Sequence, residues 1–214
     1  FLIFFLFVLL GCCSLWADDH MLSSSVDDGL TFYCSFDGSA DAVKSIGDPK
    51  GVSQFKNELQ FSAGVRDRGL RIGRSEDGKN KFAVLYKGLK NINHKQGTIS
   101  FWIKPEWDGK EQIRRIFYSA DSGSHRIIIF RLPNVPHITF YYGKLNGQGI
   151  TSLPVDISNW KKDEWHHIVM TWDKDSMVTF VDGKKSVLPM KAVFAEKKKK
   201  IMIGENWGDK SGTT

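Results

Sequence analysis

The stretch GTISFWIKPEWDG at residues 97–109 decides the fold. Ile99, Phe101 and Ile103 alternate with Ser100, Trp102 and Lys104, so an extended chain here carries one apolar face and one mixed face. Pro105 has no N–H to give and is expected to stop the ladder. Two later stretches answer it, EWHHIVMTWDK at 164–174 and VTFVDGKK at 178–185. In the second, Asp182 and Gly183 form the kind of pair that a two-residue hairpin turn requires.

Working outward, short apolar runs recur between clusters of Gly, Asp, Asn and Pro, the rhythm of an all-β sandwich. The pattern predicts strands near 30–36, 58–62, 68–73, 81–86, 97–104, 113–119, 125–131, 136–142, 165–172, 177–182, 186–188 and 200–204. Turns are expected at Asp77 with Gly78, Asp108 with Gly109, Ser122 with Gly123, Asn146 with Gly147, and Asp182 with Gly183, pairs that accept positive φ. No segment carries a sustained helical stripe. The polar stretch 143–159 is too long for a hairpin and reads as a binding loop.

Lys and Arg total 30 against 24 Asp and Glu, a formal charge of +6. The basic residues are scattered rather than gathered along one element, which points away from nucleic acid as a partner. The one dense run, 197–200, borders an apolar strand and reads as a solvated loop or a gatekeeper, with an anionic glycan contact as the alternative.

The N-terminus, FLIFFLFVLLGCC, has the composition of a secretory leader and sets residues 1–17 apart, with 18–28 as a polar linker and 29–214 as one folded unit. Within it, Leu9, Leu10, Gly11 and Cys12 resemble a lipobox, which makes Cys12 a candidate for lipidation; cleavage after Ala17 and retention as a membrane anchor are the alternatives. All three readings export the domain, as a secreted, periplasmic or cell-surface protein. Cys34 is the one cysteine outside this segment and its near surroundings, and it shares a face with Phe32 and Phe36, so a small buried core residue is expected there.

The strand ending in Trp-x-Lys-Pro, the Trp-His-His strand, the Val-Asp-Gly-Lys hairpin and IMIGENWG at 201–208 together resemble the laminin G-like, concanavalin A-like lectin/glucanase family. The resemblance covers roughly residues 29–214. It implies a jelly-roll β-sandwich of two antiparallel sheets whose final strand, which would pair beside 30–36, lies beyond this sequence. It also implies that Asp37 is a candidate ligand of a structural calcium ion, with capping of a turn as the alternative. The implied function is a non-catalytic carbohydrate-binding or adhesion module whose partner is a polysaccharide or glycoconjugate; alternatives are a laminarinase-type glycoside hydrolase and a structural sandwich without ligand.

Glu106, Asp108 and Glu111 match the Glu-x-Asp-x-x-Glu spacing of such hydrolases. Two catalytic carboxylates must face each other across a sugar, whereas Pro105 and Gly109 place this triplet around a turn. His166 and His167 are neighbours in a strand, point to opposite faces and cannot share a metal; each is expected to be hydrogen-bonded and partly buried. Sugar rings pack their CH faces on aromatic rings while polar groups take the hydroxyls. Trp107 with Asp108, and Trp207 with Asn206, sit beside turn chemistry and are the expected sugar contacts, joined by Tyr142 and Asn146 near the long loop. Trp102, Trp165 and Trp172 lie in strands and are expected in the core.

Overall fold

A computed structural model of the chain describes residues 2–7, 29–74, 80–87, 90–110, 115–121, 125–144, 151–190 and 200–204. Among these residues there are sixteen strands and no helix. They are β1 (Leu2–Phe7), β2 (Phe32–Cys34), β3 (Lys44–Ser45), β4 (Val52–Ser53), β5 (Gln60–Ala63), β6 (Arg68–Arg74), β7 (Lys81–Lys87), β8 (Gly97–Pro105), β9 (Arg115–Asp121), β10 (His125–Arg131), β11 (His137–Lys144), β12 (Thr151–Asp156), β13 (His166–Trp172), β14 (Ser176–Val181), β15 (Lys184–Pro189) and β16 (Lys200–Gly204).

All pairings are antiparallel, and they build two layers. One layer runs β6-β1-β8-β13-β14-β15, with β5 on β6, and with β2 and β3 beyond β1. The other runs β7-β16-β9-β10-β11-β12, with β4 on β7. The layers join where β6 passes into β7, through Gly73 opposite Phe82. Gly73 has φ 102°, a left-handed conformation that a side chain would resist, and this is where the chain turns from one layer to the other.

The period-two pattern sets the core. On β13, His166, Ile168, Met170 and Trp172 are buried and His167, Val169 and Thr171 are not. Phe101, Ile103 and Ile168 from the first layer share one apolar cluster with Val84, Phe117, Ile127, Ile129 and Phe140 from the second. Cys34 is fully buried as expected, and burial pushes its thiol up to about 12, so it stays protonated and inert. Asp182 and Gly183 form the expected hairpin turn, at φ 50° and 77°.

Two expectations change. The stretch read as one long loop contains β12, which pairs with β11 and whose residues alternate between covered and exposed positions. Pro154 disguised it: a proline suits an edge strand, where its missing N–H faces no neighbour. Second, the flank of β2 is paired rather than open. Leu2–Phe7, leader-like in composition, lies between β8 on one side and β6 with β2 on the other.

Candidate functional site

The outward face of the first layer is built by β8 and β13. Their register sets Trp102 beside His167, Ser100 beside Val169 and Thr98 beside Thr171. The Trp102 and His167 rings stack at 4.7 Å with 26° between planes. Ser100 Oγ and His167 Nε2 share a 2.8 Å hydrogen bond, and the Thr98 and Thr171 hydroxyls one of 3.0 Å. Burial holds the His167 imidazole below its ordinary pKa, against a smaller opposing pull from Asp182. Just before β13 begins, Trp165 packs beneath Lys104, whose ammonium stands 5.5 Å from the ring centre. Trp102, Trp165 and His167 are all half-buried, so their rings meet solvent from a stiff sheet. At the same end Arg71 Nη2 reaches both oxygens of Glu106, at 3.1 and 3.2 Å.

Beneath that end lies a second aromatic group, turned inward. His166 stacks on Trp160 at 3.9 Å and 4°, Trp160 stands 6.2 Å from Trp107, and Trp107 lies 6.3 Å from Phe117. The column crosses from β13 to β9 and closes the end of the sandwich. Arg131 is 1% exposed, its guanidinium 4.9 Å from the Trp107 ring and its Nη2 donating to Gly109 O at 3.1 Å. His166 Nδ1 meets Asp182 Oδ2 at 2.7 Å. A carboxylate only accepts, so Nδ1 carries the proton. Asp182 Oδ1 also accepts from the His167 N–H. Burial alone would raise the Asp182 pKa, but these bonds and the neighbouring imidazoles outweigh it and hold the carboxyl below its ordinary value.

These positions revise the expected sugar contacts. Trp107 is 4% exposed, not solvent-facing: burial alternates through Pro105 to Gly109, so Trp107 stays in phase with Ile99, Phe101 and Ile103. Gly109 serves close approach rather than positive φ, since a Cβ there would lie 1.9 Å from Ile157 O. Asp108 is exposed and caps its own turn, accepting from Lys110 N at 2.9 Å. Tyr142 is 1% exposed and donates to His94 O at 2.9 Å, because it shares β11's inward face with Ile138 and Phe140. Asn146, Asn206, Trp207, Glu111 and Cys12 lie outside the described residues. The strand ends nearest Asn146 and Trp207 are far apart: Lys144 pairs with His125 at one end of the second layer, and Gly204 with Ala83 at the other.

Trp172 is in the core as expected, whereas Trp102 and Trp165 are not. Their outward direction follows from strand parity, a signal that outranks the general preference of Trp for the interior. Arg131 was missed altogether, although it falls in phase with Ile127 and Ile129. Asp37 is exposed and accepts from Arg68 N, at the start of β6, at 2.9 Å. No group of three His, Cys, Asp or Glu that could hold a metal ion occurs among the described residues.

A family model described as the Concanavalin A-like lectin/glucanases superfamily, of laminin G type, matches residues 77–214. The chain belongs to this superfamily. Its members share the jelly-roll sandwich of two antiparallel sheets found here. Among solved structures, domain 4 of AbnA, an extracellular arabinanase from Geobacillus stearothermophilus, in complex with arabinotriose, superimposes with a TM-score of 0.58 at 14% identity, covering 81% of this chain and 82% of that one. The binding domain of Botulinum Neurotoxin DC in complex with SialylT gives 0.58 at 15% identity over 77% of this chain. This chain spans 40% of that toxin chain. At such identities the likeness is one of fold. No curated protein matches the sequence.

Proposed function

We propose that this superfamily member is a non-catalytic carbohydrate-binding module of an exported or cell-surface protein, and that it meets its glycan on the outward face of β8 and β13. The observation that carries the reading is the pair of half-exposed indoles, Trp102 stacked on His167 and Trp165 beneath Lys104, on one rigid face lined with hydroxyls. Indole rings take the CH face of a pyranose, and Thr98 and Thr171 supply polar neighbours. Rings already held by stacking lose little freedom on binding. Export is part of this proposal and rests only on the composition of residues 1–17.

Hydrolysis has less support. Glu106 is engaged by Arg71 and Asp108 caps a turn, so neither is poised toward the other across a sugar-sized gap. The test is binding to a panel of soluble polysaccharides by calorimetry, with Trp102→Ala and Trp165→Ala beside the parent. Loss of binding in both variants, with the thermal transition retained, is the expected result. Binding that persists in both, or release of reducing sugar by the parent, overturns the reading. A calcium titration of the melting temperature in the same series reports on Asp37.

A further inference from the structure

One cation at one end of this face has no carboxylate partner among the described residues. Arg71 and Glu106 neutralise each other in a pair whose side chains are 28% and 25% exposed. Lys104 remains: it is half-buried, its ammonium lies over Trp165, and it has no carboxylate partner among the described residues. An ammonium over an indole face gains from the ring quadrupole but keeps its capacity to donate hydrogen bonds.

Lys104 also stands at a useful spacing. It follows Trp102 by two residues on the same face of β8, which separates the two by about 6.7 Å along the strand. A pyranose stacked on Trp102 spans much of that distance, and a carboxylate carried directly on its ring carbon reaches toward the ammonium. Resting on the platform reading above, we propose that the face selects acidic glycans, with Lys104 pairing the carboxylate of a uronic acid whose ring lies on Trp102. The flexible lysine stem and its compact charge suit a single carboxylate better than an extended planar partner. At this end of the face Asp182 is held by His166 and the His167 N–H, Glu106 by Arg71 and Glu164 by Lys161, while Asp163, whose N–H donates to Pro105 O, is an exposed carboxylate.

The experiment compares matched polymers: polygalacturonate, alginate and glucuronoxylan, each in native form and after reduction of its carboxyl groups, with dextran sulfate as a sulfated control. Calorimetry on the parent chain is expected to show about three- to tenfold tighter binding to the native form of at least one pair. Added salt shrinks the difference, because the pair is partly exposed. In Lys104→Gln the ratio of native to reduced affinity falls toward one, while in Lys174→Gln, on the β13–β14 turn, it holds. Equal binding to both forms, an unchanged ratio in Lys104→Gln, or a preference for dextran sulfate over every uronate overturns the acidic selectivity and leaves the platform standing. No binding to any polymer, or binding that survives both Trp102→Ala and Trp165→Ala in folded protein, overturns the platform and this inference with it.

Discussion

Trp102 and Trp107 lie five positions apart in one short stretch, and His166 and His167 are adjacent, yet each pair is divided between two different worlds. Trp107 and His166 enter the column that closes the sandwich, with Trp160 between them and Arg131 above. Trp102 and His167 stack on each other, half-buried, on the outward face. The same residue types thus build a keystone and a platform. Strand parity alone separates them, because successive side chains leave a strand on opposite faces.

The difference can be broken first by mutation in the interior. Trp107→Ala removes a buried ring that touches Trp160, Phe117 and Arg131, and is expected to cost about 3–5 kcal/mol in urea unfolding. Trp102→Ala removes a cross-strand aromatic contact and is expected to cost about 1 kcal/mol or less. Equal losses would mean that keystone and platform are not distinct.

A smaller effect is expected where the two regions touch. Asp182 serves both histidines, accepting from His166 Nδ1 and from the His167 N–H. Asp182→Asn replaces a charged acceptor with a neutral one, at a cost of about 1–2 kcal/mol by the same unfolding measurement. A neutral outcome would show that solvent already screens this partly exposed carboxylate.

Acidification probes the same junction more gently. Burial depresses the His167 pKa, so its proton is bound more readily by the unfolded chain. Stability from this group is complete above the unfolded value of ~6.5 and is lost as pH falls through the lower folded value. The depressed Asp182 carboxyl acts in the same direction but at lower pH, its contribution being present above ~3.9 and lost below. The urea midpoint should therefore decline between about pH 7 and 5, and His167→Gln should flatten that part of the curve while leaving the acid limb. A midpoint that rises on acidification would contradict this assignment. Least of all, Lys104→Gln should change stability by no more than about 0.5 kcal/mol, which confines its effect to ligand choice.

Much of this was legible beforehand. Alternation placed Phe101, Ile103, Ile168 and Met170 in the core, put the two histidines on opposite faces, and marked the turn at Asp182 and Gly183. What misled was residue chemistry set above periodicity. Trp107 was expected at the surface because it sits beside the turn chemistry of Asp108; the alternation of burial nevertheless runs on to Gly109, although the chain bends at Glu106 and Trp107. Trp102 and Trp165 were expected inside because they lie in strands, although their positions are out of phase with the core. Pro154 hid an edge strand in the same way.

The amino-acid sequence by itself determined the class of fold, the faces of its strands and the superfamily, because period-two patterning and turn chemistry are local properties of the chain. The tertiary structure decided which aromatic rings meet one another and which meet water. Trp102 reaches His167 only through the register of β8 on β13, and Trp107 reaches Phe117 and Arg131 only across the two layers. Such partners are chosen by pairing and packing between distant segments, and no spacing along the chain encodes them directly.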